Sequence, residues 1–343
     1  MEDSHPTTTT IPSSSPNTTN QSPSPDKPPT PPSQPTLVQK LRVILLRYLT
    51  KTARTTDRTL IRLSKLLSTP SGTDVLLCTT SYTLTLLHAL LSRLLEKRLK
   101  TIATDIASKA DGILLPGETL IASLPAPTST KLIAQIVGST KAVVELISDF
   151  RIFVRLWGVL GLYAWARGTY LIPLPADAGR TEKVLRVLAW SAIVACVGFQ
   201  VLENGAYLSS KGALTSLSWT GDVGKARENA WWVWSSRFWA AYVGVELVRL
   251  GVERYCVPME EKGILGRADG DGEKEDKIRV EERRRKEGLR KRRWWRDFVS
   301  NLAYAPMTVH WSMERGLLSD WGVGACGIVA GGSLLVDAWR ETA

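Results

Sequence analysis

The sequence is poor in the residues that most enzymes use for chemistry. It has three histidines (His5, His88 and His310) and four cysteines (Cys78, Cys196, Cys256 and Cys326) in 343 residues. The cysteines are far apart and form no CxxC pair, which argues against a zinc site or a disulfide scaffold and for a reducing compartment. No Walker A loop, no GxGxxG before a helix and no GxSxG elbow occurs. His310 is followed by Trp-Ser-Met-Glu314, a poor match to a His-xxxx-Asp acyltransferase box. The chain therefore reads as a non-enzyme with no cofactor and no metal. The polar, Pro/Ser/Thr-rich start is unlike a secretory signal peptide. Clean twenty-residue spans free of charge are also missing. The apolar stretches are short, amphipathic or dented by a single charge.

What is abundant is basic charge and tryptophan. Lys and Arg number 44 against 33 Asp and Glu, giving a net charge of +11, and 13 Trp stand against five Phe. Tryptophan is favoured where one end of a side chain is apolar and the other wet, above all at membrane interfaces. Basic charge suits anionic lipid or nucleic acid. Trp and apolar runs together favour an anionic phospholipid membrane over nucleic acid. The fold class that follows is all-α: a membrane-embedded bundle of amphipathic and short apolar helices behind a disordered N-terminal tail.

The most informative stretch lies at 131–166. At about 100° per residue, Val143, Leu146, Ile147, Phe150, Phe153, Val154 and Trp157 share one face, with Lys141, Glu145, Ser148, Asp149, Arg151 and Arg155 on the other. No charge follows Arg155 until Arg167. A helix that enters a headgroup region and then goes deeper loses its polar face in this way. The plainer alternative is a core helix of a soluble bundle. On the membrane reading the apolar face inserts, while Lys141, Arg151 and Arg155 contact lipid headgroups.

The remaining organisation is expected as follows. Residues 1–36 are a disordered Pro/Ser/Thr-rich tail. Residues 37–110 hold two helices. The first spans 37–67, with Leu37, Val38, Leu41, Ile44, Leu45, Tyr48 and Leu49 as a stripe on an otherwise basic surface. Pro70-Ser-Gly72 breaks the chain, and a long helix runs from about 73 to 110, buried or half-inserted. Residues 111–130 are a loop. Residues 131–256 are central membrane-associated helices, the first unbroken from 131 to about 170. The next covers about 182–211, and a Trp-rich one covers 228–255 after a turn at 221–224. Residues 257–293 are a charged linker. Residues 294–343 give a helix to about 318 and a glycine-rich membrane segment, in which Gly327 and Gly331 allow close helix packing.

Three blocks carry a resemblance to a known family. They are Leu46-Arg-Tyr-Leu-Thr-Lys-Thr-Ala-Arg-Thr-Thr-Asp-Arg-Thr-Leu-Ile-Arg-Leu63, then Ser148-Asp-Phe-Arg-Ile-Phe-Val-Arg-Leu-Trp-Gly158 with Phe199-Gln-Val-Leu-Glu-Asn-Gly-Ala-Tyr-Leu208, and last Asn301-Leu-Ala-Tyr-Ala-Pro-Met-Thr-Val-His-Trp-Ser312 with the glycine-rich end. Together they resemble the peroxin-11 family of peroxisomal membrane proteins, closest to the fungal C type. The centre of the first block, Arg54-Thr-Thr-Asp57-Arg58, departs from the family's Gly-Arg-Asp-Lys. Residues 71–128 look like an insertion of the fungal type. The resemblance implies a peroxisomal membrane protein that elongates the membrane before fission. It also implies homo-oligomers, delivery by the peroxin-19 receptor and recruitment of dynamin-like fission GTPases. Two rivals stay open. One is an oligomeric pore for small metabolites, lined by Arg237, Glu246 and Glu203. The other is a scaffold that recruits fission machinery through the basic linker.

Overall fold

The computed structural model describes residues 37–110, 127–256 and 275–342. The expected tail and the first part of the linker lie outside them, as does most of the 111–130 loop. Among the described residues there are eight helices and no strand. We label them α1 (Leu37–Leu67), α2 (Pro70–Ala110), α3 (Thr128–Arg155), α4 (Gly158–Leu171), α5 (Arg180–Ser210), α6 (Gly221–Tyr255), α7 (Glu275–Trp311) and α8 (Asp320–Glu341). The chain divides into two units, Met1–Asp57 and Arg58–Ala343.

The small unit contributes the N-terminal part of α1. Its described side chains from Leu37 to Asp57 are all exposed, Leu41, Ile44, Leu45, Tyr48 and Leu49 included. The apolar stripe and the basic surface are therefore both open.

In the large unit, adjacent helices follow a closed order. Helix α3 lies beside α2, α2 beside α8, α8 beside α7, α7 beside α6, α6 beside α5, and α5 returns to α3, with α4 also packed on α5. Glycines set the closest approaches, because a side chain there would occupy the neighbouring helix. A Cβ at Gly327 would stand 2.1 Å from Tyr82 Cγ, and one at Gly331 2.8 Å from Thr79 Oγ1, so α8 lies directly against α2. A Cβ at Gly205 would likewise meet the Trp231 ring at 2.1 Å between α5 and α6. The interior between α5, α6 and α7 is aromatic. Trp239 stacks on Trp311 at 5.5 Å and also meets Phe199 and Tyr304, with Met307 fully buried.

Three helices are long and apolar enough to cross a membrane: Pro70–Lys109, Arg180–Ser210 and Asp320–Glu341. The chain is accordingly a membrane protein by its helices, and α2 qualifies as a span rather than only as a half-inserted segment.

Several expected boundaries move. Helix α2 starts at Pro70, not after it, because proline lacks only an N–H that the first turn leaves unpaired anyway. Gly221-Asp-Val-Gly224 is the first turn of α6 rather than a separate turn; Gly221 has φ +66°, which sets the chain direction there. The second half of the expected linker is helix, since α7 begins at Glu275 and its mixed Glu and Arg positions can pair at helical spacing. That helix stops at Trp311, not near 318. There His310 Nδ1 accepts the backbone N–H groups of Leu317 and Leu318, both at 2.8 Å, and holds the following turn.

Candidate membrane-contact site

The expected unbroken helix at 131–170 is two helices. It breaks at Leu156 and Trp157, where the polar face ends. The cause lies in α5. Gln200 Nε2 donates to the Arg155 carbonyl at 2.7 Å, and Asn204 Nδ2 donates to the Leu156 carbonyl at 3.3 Å. Backbone carbonyls freed by the break are thereby satisfied by side chains, as a buried helix end requires. A Cβ at Gly158 would stand 2.7 Å from Gln200 Oε1, so a larger residue there would have to shift the Gln200 amide.

The same face of α5 carries Glu203. Its two oxygens accept from Arg155 Nε and Nη2 at 3.0 and 2.9 Å, a bidentate pair in which the Glu203 side chain is only 7% exposed. Gln200, Glu203 and Asn204, at i, i+3 and i+4, thus all address one corner of the chain at 155–158. The two halves of the second block quoted above, 148–158 and 199–208, meet in space there.

Two further ties fix α3. Arg151 Nε donates to Asp74 Oδ1 at 2.8 Å, with the arginine side chain 14% exposed. Burial opposes the Arg151 charge, but Asp74 outweighs it and holds the guanidinium charged. Lys211, just beyond α5, forms an ion pair with Asp149 and lies over the Tyr207 ring. The hydrogen bond from Lys211 holds the Asp149 carboxyl below the usual carboxylate range.

These ties correct one expectation. Arg151 and Arg155 turn Nε and Nη2 to Asp74 and Glu203 rather than to headgroups. Lys141 does lie in the open, loosely paired with Glu145 at 3.9 Å. The correction follows from helix geometry: Arg151 and Arg155 share a stripe with Ile133, Val137, Thr140 and Val144, and that stripe is the packed one.

The apolar stripe is where the pattern places it, and it faces away from the protein. Leu146 is 69% exposed, Trp157 57% and Phe150 48%. Val143, Phe153 and Val154 are exposed as well, Leu132 and Ile136 extend the stripe toward the start of α3, and Ile147 is half-buried at its edge. Trp157 packs edge-on against Phe153 at 5.2 Å between ring centres, so the stripe ends in an aromatic pair. Past the corner α4 continues it with exposed Val159, Leu160 and Tyr163. A soluble protein rarely leaves so continuous an apolar surface open to water.

The charges proposed for a pore are otherwise engaged. Glu203 holds Arg155, Glu246 accepts from Arg249 at 2.7 Å, and the exposed Arg237 lies over the Trp234 ring at 4.7 Å. No group of three or more His, Cys, Asp or Glu able to hold a metal ion occurs among the described residues. Sequence reasoning missed Asp74, Gln200 and Asn204 as parts of this site. Asp337 was also missed: it receives Arg292 and Arg296 from α7. An acid inside an otherwise apolar helix is the signal that could have flagged it.

No protein-family model matches the chain, and no solved structure matches it. The chain is similar to an uncharacterized protein, C1F12.04c, of Schizosaccharomyces pombe, with 24% identity over 178 residues. That alignment covers 52% of this chain and 64% of the yeast protein, so the chain spans less than two thirds of the length of the curated relative it matches.

Proposed function

We propose that this chain is a peroxisomal membrane protein that remodels and elongates its membrane by inserting the apolar face of α3, and so promotes peroxisome proliferation and fission. The observation that carries the reading is the open apolar stripe that runs from Leu132 along α3 to Trp157 at its end, while Arg151 and Arg155 tie the helix down on another side. Helix α3 is too charged to be a span, with Lys141 and Glu145 exposed on the face away from the stripe. It is built to lie with one side in acyl chains and the other in headgroups. Inserted in one leaflet, it enlarges that leaflet's area and favours curvature. Asp74, Glu203 and Lys211 fix which side faces outward. Helix α1, basic and open along its stripe, adds attraction to an anionic surface.

The peroxisomal assignment rests on the resemblance of the three blocks to the peroxin-11 family. Homo-oligomers, peroxin-19 and dynamin-like GTPases are proposed as partners on the same ground. The pore rival has less support, since its three charges are taken up elsewhere. The test is reconstitution of the full chain into anionic liposomes followed by electron microscopy. The wild type should draw tubules, and Val154→Asp or Trp157→Asp, which put a carboxylate on the inserting face, should not. Tubules of equal number from these variants would remove α3 as the wedge.

A further inference from the structure

A cleft of about 660 Å³ lies between the C-terminal end of α6 and the charged part of α7, away from the α3 stripe. Its volume is that of a site for one small amphiphile. Its floor is apolar: Leu250, Leu289, Trp294 and Trp295 line it. Trp294 is held in place: its Nε1 donates to the Leu250 carbonyl at 2.9 Å and its ring stacks on Phe298 at 5.0 Å. The floor is therefore preformed. Trp295 is 50% exposed, and Leu289 is similarly open, so apolar surface stands ready for a partner.

The rim is basic. Arg254, Lys286 and Arg293 are exposed at the cleft and form no ion pair among the described residues. Of the acids that line it, Glu253 is held by Arg249 and Asp297 by Arg296. That leaves Glu287 against the rim cations, so the cleft keeps an excess of positive charge. An apolar floor under a basic rim, at the point where a charged helix turns apolar through two tryptophans, matches the border between headgroups and acyl chains.

We infer that this cleft is a discrete site for one anionic phospholipid: the rim cations take its phosphate, and Trp294, Trp295 and Leu289 take the start of an acyl chain. The inference does not rest on the wedge reading, because it uses no residue of α3.

The test is native mass spectrometry of the full chain in detergent, with dioctanoyl phosphatidic acid, dioctanoyl phosphatidylcholine or inorganic phosphate as probe. One phosphatidic acid per chain should be retained, with phosphatidylcholine held at least about tenfold more weakly. Arg254→Ala with Arg293→Ala should lower retention by about tenfold or more, and Trp295→Ala should lower it as well. Arg283→Ala with Arg285→Ala removes the same charge from α7 outside the cleft and should leave retention unchanged. Equal retention of the two lipids in the wild type would overturn the site without recourse to any variant. So would an equal loss in the control pair, which would mean only a diffuse basic surface. Displacement of the lipid by an equal concentration of inorganic phosphate would overturn the amphiphile and leave a plain anion site.

Discussion

Replacing Val143, Leu146 and Phe150 by alanine separates the two roles an apolar helix face can have. Fully burying a side chain of this class gains about 1.5–3 kcal/mol. In the protein these three remain 44%, 69% and 48% exposed, so roughly half of that gain is still uncollected at each. Insertion into acyl chains would collect it, at about 1 kcal/mol per side chain. The triple variant should therefore lose ~3 kcal/mol of membrane affinity, or about a hundredfold in partition. Folding should lose at most the covered part of each side chain, about 1 kcal/mol or less apiece, partly offset because alanine is the best helix former. Two assays read this together. One is partition of a peptide covering 128–157 into anionic vesicles, followed by circular dichroism. The other is thermal unfolding of the full chain in detergent. Replacing the half-buried Ile133, Val137 and Val144 instead should give the reverse pattern in the full chain, a lowered melting temperature. If the Val143, Leu146 and Phe150 variant unfolds many degrees lower while its peptide partitions like the wild type, the stripe is a packing face and the reasoning fails.

Three further outcomes follow from the ties around α3 and α2. Glu203→Gln leaves the Arg155 guanidinium facing a neutral partner in a part-buried site and should cost about 1–3 kcal/mol; a melting temperature equal to the wild type would show that the pair contributes nothing. The depressed Asp149 carboxyl adds stability that is fully present above its unfolded pKa and is lost as pH falls through its lower folded value. The Asp149→Asn variant should therefore lose that part of the acid dependence, and unfolding curves of the two proteins that stay parallel at every pH would contradict the tie to Lys211. Gly327→Leu places a side chain inside the Tyr82 ring's space and should cost at least about 2 kcal/mol by prising α8 from α2; unchanged thermal unfolding would contradict that packing.

How far the sequence could be read depends on the range of the physics involved. Helix α1 was legible to both ends because a periodic stripe is a local signal. The open stripe of α3 was legible for the same reason, since seven residues repeat at helical spacing. The break at Leu156 was not, because it is set by Gln200 and Asn204, more than forty residues away in sequence. The role of Arg151 and Arg155 was misjudged for the same cause: an arginine on the polar side of a helix looks alike whether it meets water, a phosphate or Asp74. The start of α7 was hidden by its charge density, which reads as a solvated linker until Arg292 and Arg296 are seen to close on Asp337.

The most direct measurement is tubulation of anionic liposomes by a peptide covering 131–166, with circular dichroism on the same samples. The peptide should become helical on the vesicles and draw them into tubules. A peptide that stays unfolded on lipid, or folds there and leaves the vesicles round, would contradict the wedge role of α3.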